Sequence, residues 1–137
     1  MSQTENIHED PVPVAENPVL QGNFAPVQEE VTAYDLVVEG TIPPELNGML
    51  LRDGPNPIAP GPGHHWFAGD GMVHGITIRN GGAQAYRNRW IRTKQVEDLK
   101  GLPAAAISPN QPMKQASGSV NVIGHGGRIL ALPEVGL

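Results

Sequence analysis

Proline and glycine interrupt this sequence so often that few regular elements can run far. Pro43-Pro44 removes consecutive backbone donors, Asp53-Gly54-Pro55-Asn56-Pro57 is a dense turn signal, and Pro60-Gly61-Pro62-Gly63 prolongs it. The 17 Gly and 14 Pro in 137 residues argue against a helix bundle and for a body of short strands and many loops, or for partial disorder. Hydrophobic residues make up only 39%, so the chain suits a small domain with a poor core of its own, or part of a larger one.

The strands are read from what lies between these breaks. Met72 to Arg79 and Ala83 to Thr93 are β-type runs around Asn80-Gly81-Gly82, the strongest short-range hairpin signal. A second hairpin is expected from Ser119–Ile123 and Arg128–Leu132, with Gly124-His125-Gly126-Gly127 as its turn. Leu36-Val37-Val38-Glu39-Gly40 reads as a short strand, Ile42 to Leu46 as a turn, and Gly48 to Arg52 as a strand that the turn signal from Asp53 ends. Gln95 to Lys100 suits a brief helix, and Pro103, Pro109 and Pro112 a surface loop. Residues 1–22, acidic and proline-containing without periodicity, read as a flexible leader. Hairpins at these spacings fit a sandwich, a barrel or propeller blades, and the pattern alone leaves all three open.

Charge and composition narrow the partners. Nine Lys and Arg against 14 Asp and Glu give a net charge of -5, which opposes attraction to nucleic acid, so none is expected as a partner. Without cysteine there is no disulfide framework, thiolate zinc site or thiol nucleophile, and a reducing cytoplasm is the expected compartment. Apolar runs are far shorter than a membrane span, and the first residues carry no signal-peptide pattern.

Asn23-Phe24-Ala25-Pro26-Val27, Gly40-Thr41-Ile42-Pro43, Leu51-Arg52-Asp53-Gly54-Pro55-Asn56-Pro57 and His65-Trp66-Phe67-Ala68-Gly69-Asp70-Gly71-Met72-Val73-His74-Gly75 stand in that order. Tyr86-Arg87-Asn88-Arg89-Trp90-Ile91-Arg92-Thr93 and Gly127-Arg128-Ile129-Leu130-Ala131-Leu132-Pro133-Glu134 continue the series. From Asn23 to its end the chain thereby resembles the N-terminal part of the carotenoid cleavage oxygenases, the retinal pigment epithelial membrane protein family. The resemblance implies an all-β fold, the opening portion of a seven-bladed β-propeller over residues 23–137, incomplete in this chain. It further implies an Fe(II) dioxygenase in which four histidines hold the iron and dioxygen cleaves an alkene bond of a carotenoid, apocarotenoid or stilbene into two carbonyl products. A lipophilic substrate of that kind also implies peripheral contact with a membrane.

In that family the first iron-binding histidine falls beyond the position of Leu137, so no metal ligand and no catalytic residue is expected here, and the fragment alone is expected to be inactive without iron. His64, His65, His74 and His125 are poor ligands by position: two are neighbours in a Pro- and Gly-rich loop, one lies between glycines in a turn, and His74 suits a hydrogen-bonded structural role. The resemblance gives Glu134 one link to the chemistry, as acceptor for the ring N–H of an iron-binding histidine. Asp70, between two glycines, is expected to shape a turn, Arg87, Arg89 and Arg92 to face outward or pair with carboxylates, and Trp66 and Phe67 either to line a substrate tunnel or, as a large apolar pair more often does, to belong to the core.

The sequence departs from the family pattern at three places. Stilbene-cleaving members resemble one another in a lysine before this glutamate, where Pro133 offers no donor, which favours a carotenoid or apocarotenoid. Asp53 stands where asparagine is usual, and Ser119-Val120 replaces an Asn-Thr pair. The competing expectation is a truncated non-catalytic remnant or a binding module without metal, its open strand edge available to a partner.

Overall fold

The computed structural model describes residues 10–105 and 117–133. Among them a four-stranded antiparallel sheet runs in the order β1-β4-β3-β2, and a separate two-stranded sheet is formed by β5 and β6. The strands are β1 (Thr32–Ala33), β2 (Gly48–Pro55), β3 (Gly71–Arg79), β4 (Gly82–Trp90), β5 (Asn121–His125) and β6 (Arg128–Leu132), with one helix, α1 (Lys94–Lys100), after β4.

Turn chemistry sets both hairpins. Arg79 pairs with Gly82 across Asn80-Gly81, whose φ values of 48° and 75° are both positive, the conformation that matches the twist of a two-residue hairpin. His125 pairs with Arg128 across Gly126-Gly127 in the same way, at 55° and 73°. The second turn is therefore tighter than the glycine-rich run suggests, and Gly124 and His125 belong to β5. A register shift at Thr77/Ile78 leaves Gln84 as the extra residue of a bulge in β4.

Two other expectations are corrected. The β-branched run Leu36–Gly40 forms no strand: β1 pairs with β4 through Thr32 and Ala33 alone, and Val37 stands 92% exposed. Propensity without a neighbouring ladder does not make a strand. β2, by contrast, continues through Asp53 and Gly54 to Pro55, which pairs with Gly71. Pro55 closes the ladder at its last pair and on an edge strand, where a missing donor is tolerated.

Antiparallel pairing puts Arg52, His74 and Asn88 in one row across the sheet and Gly54, Met72 and Trp90 in the next, all on one face. Met72 and Trp90 on that face pack with Val96 of α1 as the buried core, joined by partly buried Ile58 and Leu102. A helix as short as α1 is marginal alone. Thr93 Oγ1 caps it by accepting from Val96 N at 3.2 Å, Gly101 closes it at φ 67°, and burial of Val96 holds it on the sheet. Burying side chains of this size stabilises by about 1.5–3 kcal/mol each.

Over its described part the leader, residues 10–22, forms short 3-10 turns and is fastened to a loop. Gly63 N donates to Val12 O at 2.8 Å, and buried Asn17 donates through Nδ2 to His64 O at 2.8 Å.

Candidate functional site

Three buried asparagines position everything around the sheet's inner face. Asn56 Oδ1 accepts from Val27 N at 2.7 Å while its Nδ2 donates to Val27 O at 2.9 Å, so one side chain pairs with the backbone as a strand would. Asn88, 1% exposed, accepts from Val31 N and donates to Glu29 O at 3.0 Å. Asn88 thereby holds the segment on the sheet, and Asn56 and Asn17 hold it on the loop after β2, since a buried amide left without partners costs about 1–3 kcal/mol. These roles are invisible in the sequence, because each depends on a partner far away along the chain.

The segment so held closes one side of a cleft of about 270 Å³, lined by Phe24, Arg52, Asn56, His64, Trp66 and His74 among others. His74 lies opposite Arg52 on the neighbouring strand. Its Nδ1 is 2.8 Å from the Tyr86 hydroxyl, and burial, with a smaller contribution from the Arg52 charge, holds its pKa below the ordinary imidazole value. The neutral ring is therefore the resting form at neutral pH, with one nitrogen committed to Tyr86. Trp66 and Phe24 meet edge to face at 4.5 Å between centroids. Trp66 is 43% and Phe67 76% exposed, so this pair does not enter the core: they sit in a loop whose backbone turns back at Ala68 N to His65 O. The cleft offers an aromatic wall beside Arg52 and His74.

The remaining singled-out residues have structural partners. Asp70, 4% exposed, accepts from Ile58 N through Oδ2 at 3.1 Å and from Asn56 N through its backbone oxygen, which ties the loop after β2 to the start of β3. Arg92 makes a two-pronged bond to Glu30 at 2.6 and 2.8 Å, and the same carboxylate accepts from Trp90 N. Arg89 reaches Glu30 at 3.7 Å, Val31 O and Thr32, and Arg87 points outward, exposed.

A four-histidine iron site requires convergent imidazoles, and the structure does not bring these together. His64 and His65 stay in the loop, His74 faces Tyr86 on β3, and His125 is exposed at the tip of the second hairpin. Among the described residues no group of three or more His, Asp or Glu side chains is placed to hold a metal ion, so these residues do not fit an iron centre. Glu134 lies outside the described residues, just past Pro133 at the end of β6. Much of the loop expected around Pro109 and Pro112 also lies outside them. Among the described residues no helix is long and apolar enough to cross a membrane.

Comparison with known proteins places this arrangement. Residues 24–137 match the family described as retinal pigment epithelial membrane protein. A carotenoid cleavage oxygenase of Mycobacterium tuberculosis is 48% identical over 127 residues, covering 90% of this chain and 25% of that protein. A carotenoid 9,10(9',10')-cleavage dioxygenase of Crocus sativus is 36% identical over 142 residues, covering 84% of this chain and 26% of the relative. Among solved structures, Pseudomonas brassicacearum lignostilbene dioxygenase superposes with a TM-score of 0.65 at 25% identity, over 90% of this chain and 28% of the other. Cobalt-substituted Synechocystis ACO gives 0.62 at 30% identity, over 80% of this chain and 26% of the other. The chain spans about a quarter of the length of these relatives.

Proposed function

The chain belongs to the retinal pigment epithelial membrane protein family of carotenoid cleavage oxygenases, and from that premise we propose that the whole protein is an Fe(II)-dependent dioxygenase of a carotenoid or apocarotenoid. The two sheets are part of the family's β-propeller. The overall reaction is one alkene bond plus one dioxygen giving two carbonyl products, one oxygen atom to each. The match over residues 24–137 carries this reading. Two further observations favour a carotenoid over a phenolic stilbene: the 48% identity to a carotenoid cleavage oxygenase, and Pro133, which has no donor for a phenol.

In this reading the chain supplies framework, and its iron ligands come from other parts of the protein. Glu134 acts through one of those ligands, accepting its ring N–H and so fixing its tautomer and orientation. The lipophilic substrate implies peripheral contact with a membrane by a protein that otherwise resides in the cytoplasm. β2 lies at the edge of its sheet among the described residues, and an open edge also suits a partner strand, which keeps a non-catalytic binding module as the second reading.

The test is product analysis. The protein expressed from its complete reading frame, loaded with Fe(II) in air, is incubated with a panel of carotenoids and apocarotenals. Two carbonyl fragments from one bond are expected, with Glu134→Gln lowering turnover by about 10–100-fold. Intact substrate across the panel, from protein shown to contain iron, would overturn the enzymatic reading and leave the binding module.

A further inference from the structure

We propose that the cleft between the N-terminal segment and strands β2 and β3 is a site for a small carboxylate with an apolar body. Most of its lining is apolar or aromatic, and the rings of Phe24 and Trp66, 56% and 43% exposed, leave apolar surface for a ligand to cover. The titratable side chains in the lining are Arg52, His64 and His74, and no Asp or Glu joins them. At about 270 Å³ the cleft lies below the range of about 300–1,000 Å³ usual for drug-sized ligands, which limits the body to about one ring.

Unspent donors decide the class of ligand. Among the described residues the guanidinium hydrogen bonds and ion pairs are those of Arg89 and Arg92, both turned to Glu30, and Arg52 makes none. His74 stands opposite Arg52 on β3, its Nδ1 2.8 Å from the Tyr86 hydroxyl. When that hydroxyl donates, the ring proton sits on Nε2 and the imidazole offers a second donor. A carboxylate only accepts, and its two oxygens match the guanidinium fork. A cation would meet the charge of Arg52, a neutral ligand would leave that charge without a partner, and an inorganic anion would leave the aromatic wall uncovered.

The aromatic wall is set before any ligand arrives. Asn56 clasps the backbone of Val27, three residues after Phe24, and Asn17 donates to the carbonyl of His64, two residues before Trp66. The two rings meet edge to face at 4.5 Å. Arg52, by contrast, is exposed and fixed only through the backbone pairing of β2 with β3. The ordering that binding requires therefore falls mainly on one side chain, and a preorganised remainder keeps that cost low.

The experiment is ligand-observed saturation-transfer NMR on the protein expressed from its complete reading frame, with phenylacetate as the probe and phenylacetamide as its neutral counterpart. Phenylacetate is expected to bind saturably with a Kd of about 1 mM, and phenylacetamide about tenfold more weakly. Arg52→Gln should weaken phenylacetate about tenfold and leave phenylacetamide unchanged, whereas Trp66→Ala should weaken both. Equal binding of the two probes, or phenylacetate binding unchanged in Arg52→Gln, as it would be at an iron or at another anion site, would overturn the proposal. So would the absence of saturable binding, the result if a carboxylate from elsewhere in the protein already holds Arg52. Should Arg52→Gln not fold, the preference of the wild type for the anion and its response to Trp66→Ala decide.

Discussion

The hairpins β3–β4 and β5–β6 turn on the same chemistry, two residues at positive φ, yet they differ in what their strands rest on. β3 and β4 are nine residues each and bury Met72, Asn88 and Trp90 beneath α1 and the N-terminal segment. β5 and β6 are five residues each, and Ile123, Ile129, Leu130 and Leu132 all remain at least 36% exposed. An isolated two-stranded hairpin is marginal in water. The comparison separates two jobs that are easily merged: the turn selects the register, and burial decides how much that register is worth.

Removing side chains from each hairpin is the strongest way to break the contrast. Met72 is fully buried, so Met72→Ala should destabilise the chain by about 2–5 kcal/mol, through lost transfer energy and the cavity left against Trp90 and Val96. Leu130→Ala, at a side chain more than a third exposed, should cost under about 1 kcal/mol. Urea unfolding at constant m-value measures both. Equal losses would mean that the second hairpin is buried in solution against something other than the contacts described.

This division of labour also decides what was legible in the sequence. The turns were, because Asn-Gly and Gly-Gly act locally, and α1 was, within one residue, because Thr93 and Gly101 bracket it. Leu36–Gly40 was not, since a strand needs a partner and β4 offers β1 only Thr32 and Ala33 as neighbours. Nor were the clasps of Asn17, Asn56 and Asn88: Asn88 meets Val31 across 57 positions, and no local pattern announces such a bond. Trp66 and Phe67 misled because size suggests burial, whereas both lie on an exposed loop beside the cleft. Of the candidate site, His74 was recognisable as a strand residue among apolar neighbours, but not its bond to Tyr86, which the bulge and register create. Glu134 came from resemblance alone and lies outside the described residues.

A finer probe keeps the chemistry constant and varies only the surroundings of the turn. Gly126→Ala places a methyl in open space, so its cost is the left-handed backbone alone, about 1 kcal/mol. Gly81→Ala adds to that cost a contact of 3.1 Å with Ile42 O, because the first turn packs on the Ile42–Pro44 segment while the second is free. Gly81→Ala should therefore lower stability by about 1–2 kcal/mol, and the excess over Gly126→Ala reports the packing of the turn itself. Parallel melts of the two variants measure it, and a larger loss at Gly126 would show that the second tip is covered.

The smallest effect is electrostatic and belongs to the first hairpin alone. Glu30 accepts from both Arg92 and Trp90 N, and the Arg92 hydrogen bond is the chief reason its pKa lies below the ordinary carboxylate value. A lowered folded-state value means that the group stabilises above its unfolded value near 4.5, and that this contribution is lost as pH falls through the lower folded value. Arg92, its own pKa raised by the same bond, stays protonated throughout and adds no pH dependence. Glu30→Gln should thus cost about 0.5–1 kcal/mol at pH 6, with the two proteins converging at acid pH, since the pair is partly solvated. Because Glu30 touches the end of β4 and not β5 or β6, amide exchange in the second hairpin should be unaffected. A variant that loosened β5 and β6 as pH fell would show that the two hairpins share a charge network which the ion pairs here confine to one of them.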